Sequence, residues 1–480
     1  MSESLKVKTI TSVVWSAIER FSVQGIQFLL TIIVARLISP FDYGLVAMLG
    51  IFLAIAQTFI DSGFSNALIQ KKDRTEIDFS TVFYFNIVVG LVVYWILYIS
   101  APYIADFYDE PQLDIITKVI SLSLVINSLS VIQRTKLTII LNFRIQAIIS
   151  LISVIVSGSA GIFLAYMGYG VWAIIAQTLL NALLNTVFLW LFTKWIPLFC
   201  FSIASFRTLF SFGSKLLFSG LLHTIYTNLY NLIIGKNFSS AELGYYNRAY
   251  TLAYFPSSNL GNILIRAIFP ILCDIQDDDK RFSKLFIESI KISAFIVFPV
   301  MICLCVLAKP IVLIVLTEKW LPIVLMLQIL CIAYMWEPVM VINNIVLKAK
   351  GRSDYFLKAE VLKKTIGVLI MFITFPLGLN VICIGLIIYA LADFVVTAFY
   401  VYKVTECSFI CQFKALLPII FLNMSMGGVV YISTLLFHFP LLKLIMGFSI
   451  GIVYYLLVSN LMRFSVLVQM KNLFNIHSNK

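Results

Sequence analysis

Across 480 residues, 61% are apolar and 12% are charged, with a mean hydropathy of +0.99. No water-soluble fold hides that much apolar surface, so the chain reads as an all-α membrane protein whose solvent is lipid. The net charge of +12 does not signal nucleic acid, because the basic residues are scattered through short connections and form no continuous stripe.

In chain order, apolar runs separated by charged or Pro/Gly breaks predict about 14 transmembrane helices, each near the roughly 20 residues that cross a hydrocarbon core. The first eight cover 11–35, 43–68, 79–101, 115–138, 146–167, 169–193, 209–235 and 243–271. The remaining six cover 286–308, 320–347, 360–378, 380–402, 414–437 and 440–462. Lys6 and Lys8 precede a first run too long for a signal-peptide core, which reads as an uncleaved first helix. With the N-terminus cytoplasmic, both termini and connections 71–78, 134–144, 194–207, 274–291, 348–364 and 403–414 lie inside. That side then holds about 27 of the 35 Lys and Arg residues, against about five outside, and this asymmetry sets the expected orientation. The outer connection 102–114 holds Asp106, Asp109, Glu110 and Asp114 without a base.

An internal repeat organises these spans. Residues 33–44 read I-V-A-R-L-I-S-P-F-D-Y-G and residues 233–244 read I-I-G-K-N-F-S-S-A-E-L-G. At an offset of 200, Arg36 matches Lys236, Ser39 matches Ser239, Asp42 matches Glu242 and Gly44 matches Gly244. Each serine followed three residues later by an acid resembles a capping box, starting helices 2 and 8. Further on, Ala101-Pro102 falls near Lys309-Pro310 and Glu110 near Glu318. A repeat of six helices enters the membrane in the same sense twice, which implies two pseudo-symmetric lobes about an axis along the membrane normal. The expected division is an N-terminal lobe at 1–200 with helices 1–6, a C-terminal lobe at 201–402 with helices 7–12, and 403–480. The last part comprises helices 13–14 and a cytoplasmic amphipathic tail with Val466, Leu467, Met470 and Leu473.

Polar side chains inside hydrocarbon are costly unless they face protein or a water-filled cavity. On helix 1, Arg20, Gln24, Gln27 and Thr31 share a face, as do Thr224, Thr227, Asn228 and Asn231 on helix 7. The offset of 200 pairs Gln24 with Thr224, Gln27 with Thr227 and Thr31 with Asn231, so the stripe is itself repeated. Helices 2 and 8 add Gln57, Thr58 and Ser62 matched to Ser257, Ser258 and Asn262, with Asp61 and Arg248 as charges. Single residues of this kind often serve only as packing contacts of about 0.6 kcal/mol, but a doubled stripe suits a cleft between two lobes. Arg20 has the chemistry to hold a diphosphate through charge-assisted bonds. Asp61, Glu337 and Asp393 are candidates for coupling transport to protons or sodium. Pro256 and Pro338 break helical hydrogen bonding in helices 8 and 10.

No cofactor or metal is expected. The eight cysteines, such as Cys303 and Cys305, show no C-x-x-C or His/Cys spacing, and His223, His438 and His477 are far apart. Asp277, Asp278 and Asp279 sit among Lys280, Arg281 and Lys284 and read as a solvated helix start.

Several stretches carry a family resemblance. They are V-A-R-L-I-S-P-F-D-Y-G-L-V-A-M from Val34, F-I-D-S-G-F-S-N-A-L-I-Q from Phe59 and L-G-Y-Y-N-R-A-Y from Leu243. I-R-A-I-F-P-I-L ending at Leu272 and A-K-P-I-V-L-I-V-L-T-E-K-W from Ala308 extend them. The chain resembles the polysaccharide-transporter branch of the multidrug/oligosaccharidyl-lipid/polysaccharide exporters, including Wzx-type flippases. That resemblance implies a two-lobed bundle with a V-shaped cavity, working by alternating access. It also implies an undecaprenyl-diphosphate-linked oligosaccharide as substrate, moved across the bacterial inner membrane for lipopolysaccharide, capsule or exopolysaccharide synthesis, with polysaccharide polymerase machinery as a partner. A cation-coupled multidrug antiporter of the same superfamily is the alternative; it is expected to stop near twelve helices. A membrane polysaccharide polymerase, an enzyme, needs a sizeable outer loop, and the longest here is about a dozen residues.

Overall fold

The computed structural model describes residues 23–462 and 464 except 62 and 406, and of residues 212 and 262–267 the backbone alone. Every regular element among them is a helix. The expected spans fall on α1 (Val23–Leu37), α2 (Pro40–Gln70), α3 (Glu76–Tyr108), α4 (Gln112–Ile139), α5 (Phe143–Tyr166) and α6 (Val171–Thr193). They continue with α7 (Ile203–Asn237), α8 (Ser240–Asp274) and α11 (Ser353–Thr374). The rest are α9 (Asp279–Val306), α10 (Ile323–Ala349), α12 (Leu379–Thr405), α13 (Phe409–Leu436) and α14 (Pro440–Leu461). Among the described residues, ten of these, α2–α6, α9, α10 and α12–α14, are long and apolar enough to cross a bilayer. The expected amphipathic tail after Arg463 lies outside the described residues.

The chain packs as two compact units, Met1–Gly244 and Tyr245–Lys480. In the first, α5 pairs with α6, and α7 runs along α2. Small residues set that second contact, because they let helix backbones approach where lipid supplies no hydrophobic drive. The hydroxyls of Thr58 and Thr224 lie 3.0 Å apart. Gly63 takes φ 70°, and a Cβ there would lie 2.6 Å from the carbonyl oxygen of Gly213.

Both serines cap their helices, and at Ser239 the full capping box forms. The Ser39 hydroxyl donates to Asp42 at 2.6 Å and accepts from the Asp42 N–H at 3.1 Å. The Ser239 N–H and hydroxyl donate to Glu242 at 3.0 and 2.8 Å. Each cap satisfies amides that the first helical turn leaves without partners. The capped turns meet reciprocally: a Cβ on Gly44 would collide with the carbonyl of Ser240, and one on Gly244 with that of Pro40. The same two repeat positions therefore serve each other in swapped roles. Nearby, the Ser240 hydroxyl donates to Glu110 at 2.5 Å, and Tyr108 donates to the Met48 carbonyl at 3.1 Å.

At the other end of α3, Thr75 and Asp78 form a second capping box, and Lys71 pairs with Asp78 at 2.7 Å. Glu76 accepts from Lys136 at 2.8 Å and from the Trp195 indole at 2.6 Å, beside an aromatic core of Phe64, Phe79 and Phe83.

In the second unit α11 pairs with α12, and α13 packs on α9 and α14. Tyr455 of α14 donates to the Phe295 carbonyl of α9 at 2.8 Å. Helix α10 is discontinuous, with halves Ile323–Tyr334 and Glu337–Ala349. Pro338 has no N–H to give the Tyr334 carbonyl four residues back. The Ser257 hydroxyl of α8 fills that vacancy at 2.7 Å. Helix α8 itself continues through Pro256.

Gly44 and Gly50 offer a test on one helix. Gly44→Ala should lower the thermal midpoint of detergent-purified protein by the equivalent of about 1–3 kcal/mol of overpacking. Gly50→Ala, whose Cβ would meet nothing within 4 Å, should leave it unchanged or raise it.

Candidate functional site

The first unit contains an open cavity of about 870 Å³, lined by residues of α1, α2, α4 and α6. Its lining is dominated by hydrogen-bonding groups without charge. Seven carboxamides reach it: Gln27, Gln57, Asn66, Asn127, Gln177, Asn181 and Asn185. Among the described lining residues Asp61 is the one acid and Arg134 the one base, and the two lie within electrostatic range of each other.

Helical geometry builds this surface. Gln177, Asn181 and Asn185 are spaced by four and so stand on one face of α6. Asn185 donates to Asn181 at 3.2 Å. From α4, the Asn127 side chain donates to the Gln57 side-chain Oε1 at 3.3 Å, and Gln57 Nε2 in turn donates to the Asp61 carboxylate at 3.0 Å. That chain fixes the orientation of both amides, because a carboxylate only accepts.

The candidates named from sequence are distributed as follows. Gln27, Thr31, Gln57 and Asp61 line the cavity, and Thr31 donates to the Gln27 carbonyl at 2.6 Å. Gln24 lies one turn before Gln27, with its Oε1 buried and without a hydrogen-bond partner. On α7, Thr224 meets Thr58 of α2, Thr227 donates to the carbonyls of His223 and Thr224, and Asn228 donates to the Thr224 carbonyl at 2.9 Å. Asn231 follows on the same helix and also makes a polar contact. Arg248 is buried, with its guanidinium 5.6 Å from the centre of the Trp320 ring. Ser258 bonds within α8, to the Phe255 carbonyl. Arg20, Ser62 and the side chain of Asn262 lie outside the described residues.

Asp393, in the second unit, is paired with a lysine. Lys363 of α11 and Asp393 of α12 are 5% and 6% exposed, and their charged groups are 3.4 Å apart. Lys363 also pairs with Glu360 at 2.5 Å, and Thr397 donates to Asp393 at 2.8 Å. Glu337 opens the second half of the broken helix, within electrostatic range of Asp393, Lys363 and Glu360. Discontinuous helices are where transporters commonly gather polar groups near the bilayer midplane.

Sequence reading did not single out the α6 ladder, Arg134 or Lys363. The ladder was visible as amides at 177, 181 and 185 inside one apolar span. Arg134 and Lys363 stand at the ends of spans, where a base reads as a topological charge; only packing shows what each faces.

The family described as "Polysaccharide biosynthesis protein" matches residues 33–325, more than half of the chain. The chain belongs to that family. A relative, the lipopolysaccharide biosynthesis protein WzxC of Escherichia coli (strain K12), is 28% identical over 362 residues, covering 75% of this chain and 74% of its own. The solved structure of lipid II flippase MurJ in an inward closed conformation is similar over 95% of this chain and 100% of that one, with TM-score 0.76 and 16% identity. An inward-facing multidrug resistance MATE family transporter of the MOP superfamily is similar over 83% of this chain and 99% of that one, with TM-score 0.60 and 17% identity. At such identities the likeness is one of fold: this family member is a multi-pass membrane protein whose described residues form a helical bundle of the same fold.

The charge cluster yields a stability test. Lys363→Met leaves buried carboxylates uncompensated and should cost about 3–5 kcal/mol, read as a lowered thermal midpoint in detergent. Adding Asp393→Asn should recover part of that loss; an equal or larger loss would contradict a charge-compensating role for Lys363.

Proposed function

We propose that the chain is a flippase for undecaprenyl-diphosphate-linked oligosaccharide, moving it from the cytoplasmic to the outer leaflet of a bacterial inner membrane for surface polysaccharide synthesis. The observation that carries this reading is a cavity lined by seven carboxamides, in a membrane-embedded member of a polysaccharide biosynthesis family. A sugar chain brings many hydroxyls that lose water on entering the membrane, and each needs a directional partner. Amides and hydroxyls supply donors and acceptors together. The polyprenyl tail can stay in lipid, so only the head has to cross.

The fold is shared with a drug transporter and does not by itself separate the two functions. The lining does favour one. A cationic drug calls for unpaired acids or aromatic faces, whereas the cavity's acid, Asp61, is already engaged by Gln57 and lies near Arg134.

In this mechanism lobes 1–200 and 201–402 alternate access, with 403–480 as an added pair and tail and both termini cytoplasmic. Arg20 and Arg248 are assigned to the anionic head. The stripe of Gln24, Gln27, Thr31, Thr224, Thr227, Asn228, Asn231, Ser258 and Asn262 is assigned to the pathway, and Asp61, Glu337 and Asp393 to ion coupling. Polysaccharide polymerase machinery would receive the product.

Sidedness of lipid-linked oligosaccharide in membrane vesicles tests the proposal. Depletion of the protein should trap the glycan on the cytoplasmic face, and Arg20→Ala should do the same while still inserting. Unchanged sidedness on depletion would remove the flippase reading and make drug efflux the next hypothesis.

A further inference from the structure

The first unit has a second cavity, separate from the amide-lined one. It measures about 370 Å³ and lies where the α2–α3 and α4–α5 connections meet the end of α6. Phe79, Leu137, Ile140, Ile145 and Phe192 give it an apolar wall, and Arg74 and Lys136 are its charged residues, with no acid in the described lining. An apolar wall selects little inside a membrane, because bulk lipid is equally apolar. Selectivity has to come from the bases.

The two bases are not equivalent. Lys136 is committed to Glu76 at 2.8 Å and lies over the rings of Phe79 and Trp195. Arg74 donates through Nη1 to the carbonyls of Leu68 and Ile69, at 3.2 and 3.1 Å, near the end of α2. Those bonds hold the guanidinium in place. Among the described residues its Nε and Nη2 make no hydrogen bond, and it forms no ion pair. Nε and Nη2 together are a fork that a phosphate takes bidentately. Asn142 supplies a further donor: its Oδ1 caps α5 by accepting from the Ile145 N–H at 3.3 Å, which leaves Nδ2 for an anion.

The depth of the cavity favours a lipid as the source of that phosphate. Just beyond α6, in the connection to α7, Ile196, Leu198 and Phe199 are exposed, as suits a lipid leaflet and not water. Basic pockets between transmembrane helices at this level suit acidic head groups.

We propose that this cavity holds the head group of an anionic phospholipid of the phosphatidylglycerol type, with Arg74 bidentate on its phosphate and Asn142 as the second donor. A zwitterionic head group brings an ammonium that no acid of the described lining can meet. Because Arg74 is tied to the end of α2 and Asn142 starts α5, the bound phosphate links those two helix ends. In the orientation proposed above, the lipid belongs to the cytoplasmic leaflet. The inference needs the chain to be embedded in a membrane and does not depend on the flippase reading.

Native mass spectrometry of the purified, delipidated full chain tests it, with phosphatidylglycerol and phosphatidylcholine of equal chain length as probes. One phosphatidylglycerol should bind saturably and about tenfold more tightly than phosphatidylcholine, and Arg74→Gln should remove that preference, the loss expected for a charge-assisted contact. Arg74→Gln also gives up the tie to α2, so Asn142→Asp serves as a second variant. Aspartate caps a helix as well as asparagine does but sets a negative charge against the phosphate, so it should weaken phosphatidylglycerol while leaving the lipid-free thermal midpoint unchanged. Lys72→Gln removes an exposed base of the same connection that is outside the described lining, and binding should persist. Equal binding of the two lipids, or an equal loss in Lys72→Gln and Arg74→Gln, would reduce the site to diffuse surface attraction and overturn the proposal. Displacement of the lipid by glycerol phosphate would point to a soluble anion, and preference for undecaprenyl phosphate would point to a polyprenyl lipid; either result would overturn it as well.

Discussion

A polar group surrounded by hydrocarbon must find a protein partner or line water, and this requirement shapes the chain at every level. Most hydroxyls in the helices meet it locally, by donating to a carbonyl one turn back. Ser80 and Thr81 do so and then accept in turn from the N–H groups of Leu198 and Ser202, at 2.9 and 3.1 Å, which ties the α6–α7 connection to α3. The break in α10 creates the opposite problem, a carbonyl without a donor, and Ser257 solves it from a neighbouring helix. Where amides gather without being fully consumed by such contacts, the cavity begins.

The two units use their polar residues differently. In the first, neutral amides dominate, with Asp61 the one acid and Arg134 the one base among the described cavity-lining residues. In the second, Lys363 is buried against Glu360 and Asp393, with Glu337 at the helix break within electrostatic range, in a setting rich in aromatic rings, with Trp336 stacked on Phe394 at 5.7 Å. In the proposed mechanism the first unit's amides meet the sugar, while the residues assigned to ion coupling are divided, Asp61 in the first unit and Glu337 and Asp393 in the second.

Much of this was legible from the residues. Hydropathy located the helices because crossing lipid leaves few alternatives to a long apolar run. The gapless offset of 200 exposed both serine caps, since the serine and the acid three residues later form a local device that needs no tertiary information. The same offset matched Gly44 to Gly244, yet their reciprocal contacts with Ser240 and Pro40 depend on how two helix starts approach. The cavity was readable on α1 and α2, through Gln27, Thr31, Gln57 and Asp61. It was not readable on α4 and α6, because a polar residue in an apolar span looks alike whether it faces a neighbouring helix or a cavity. Lys363 shows the same limit: as a base near a span end it resembled a topological charge, and its burial against Asp393 and Glu360 comes only with packing.

Reconstitution tests the central claim most directly. Purified protein would be placed in proteoliposomes holding a fluorescent polyprenyl-diphosphate oligosaccharide, and a membrane-impermeant reductant would bleach the label exposed on the outer leaflet. If the chain alone moves the head group, bleaching should go beyond the outer-leaflet fraction towards completion, and stay at that fraction in protein-free liposomes. Bleaching that stops at the same fraction with correctly folded protein present would contradict the account.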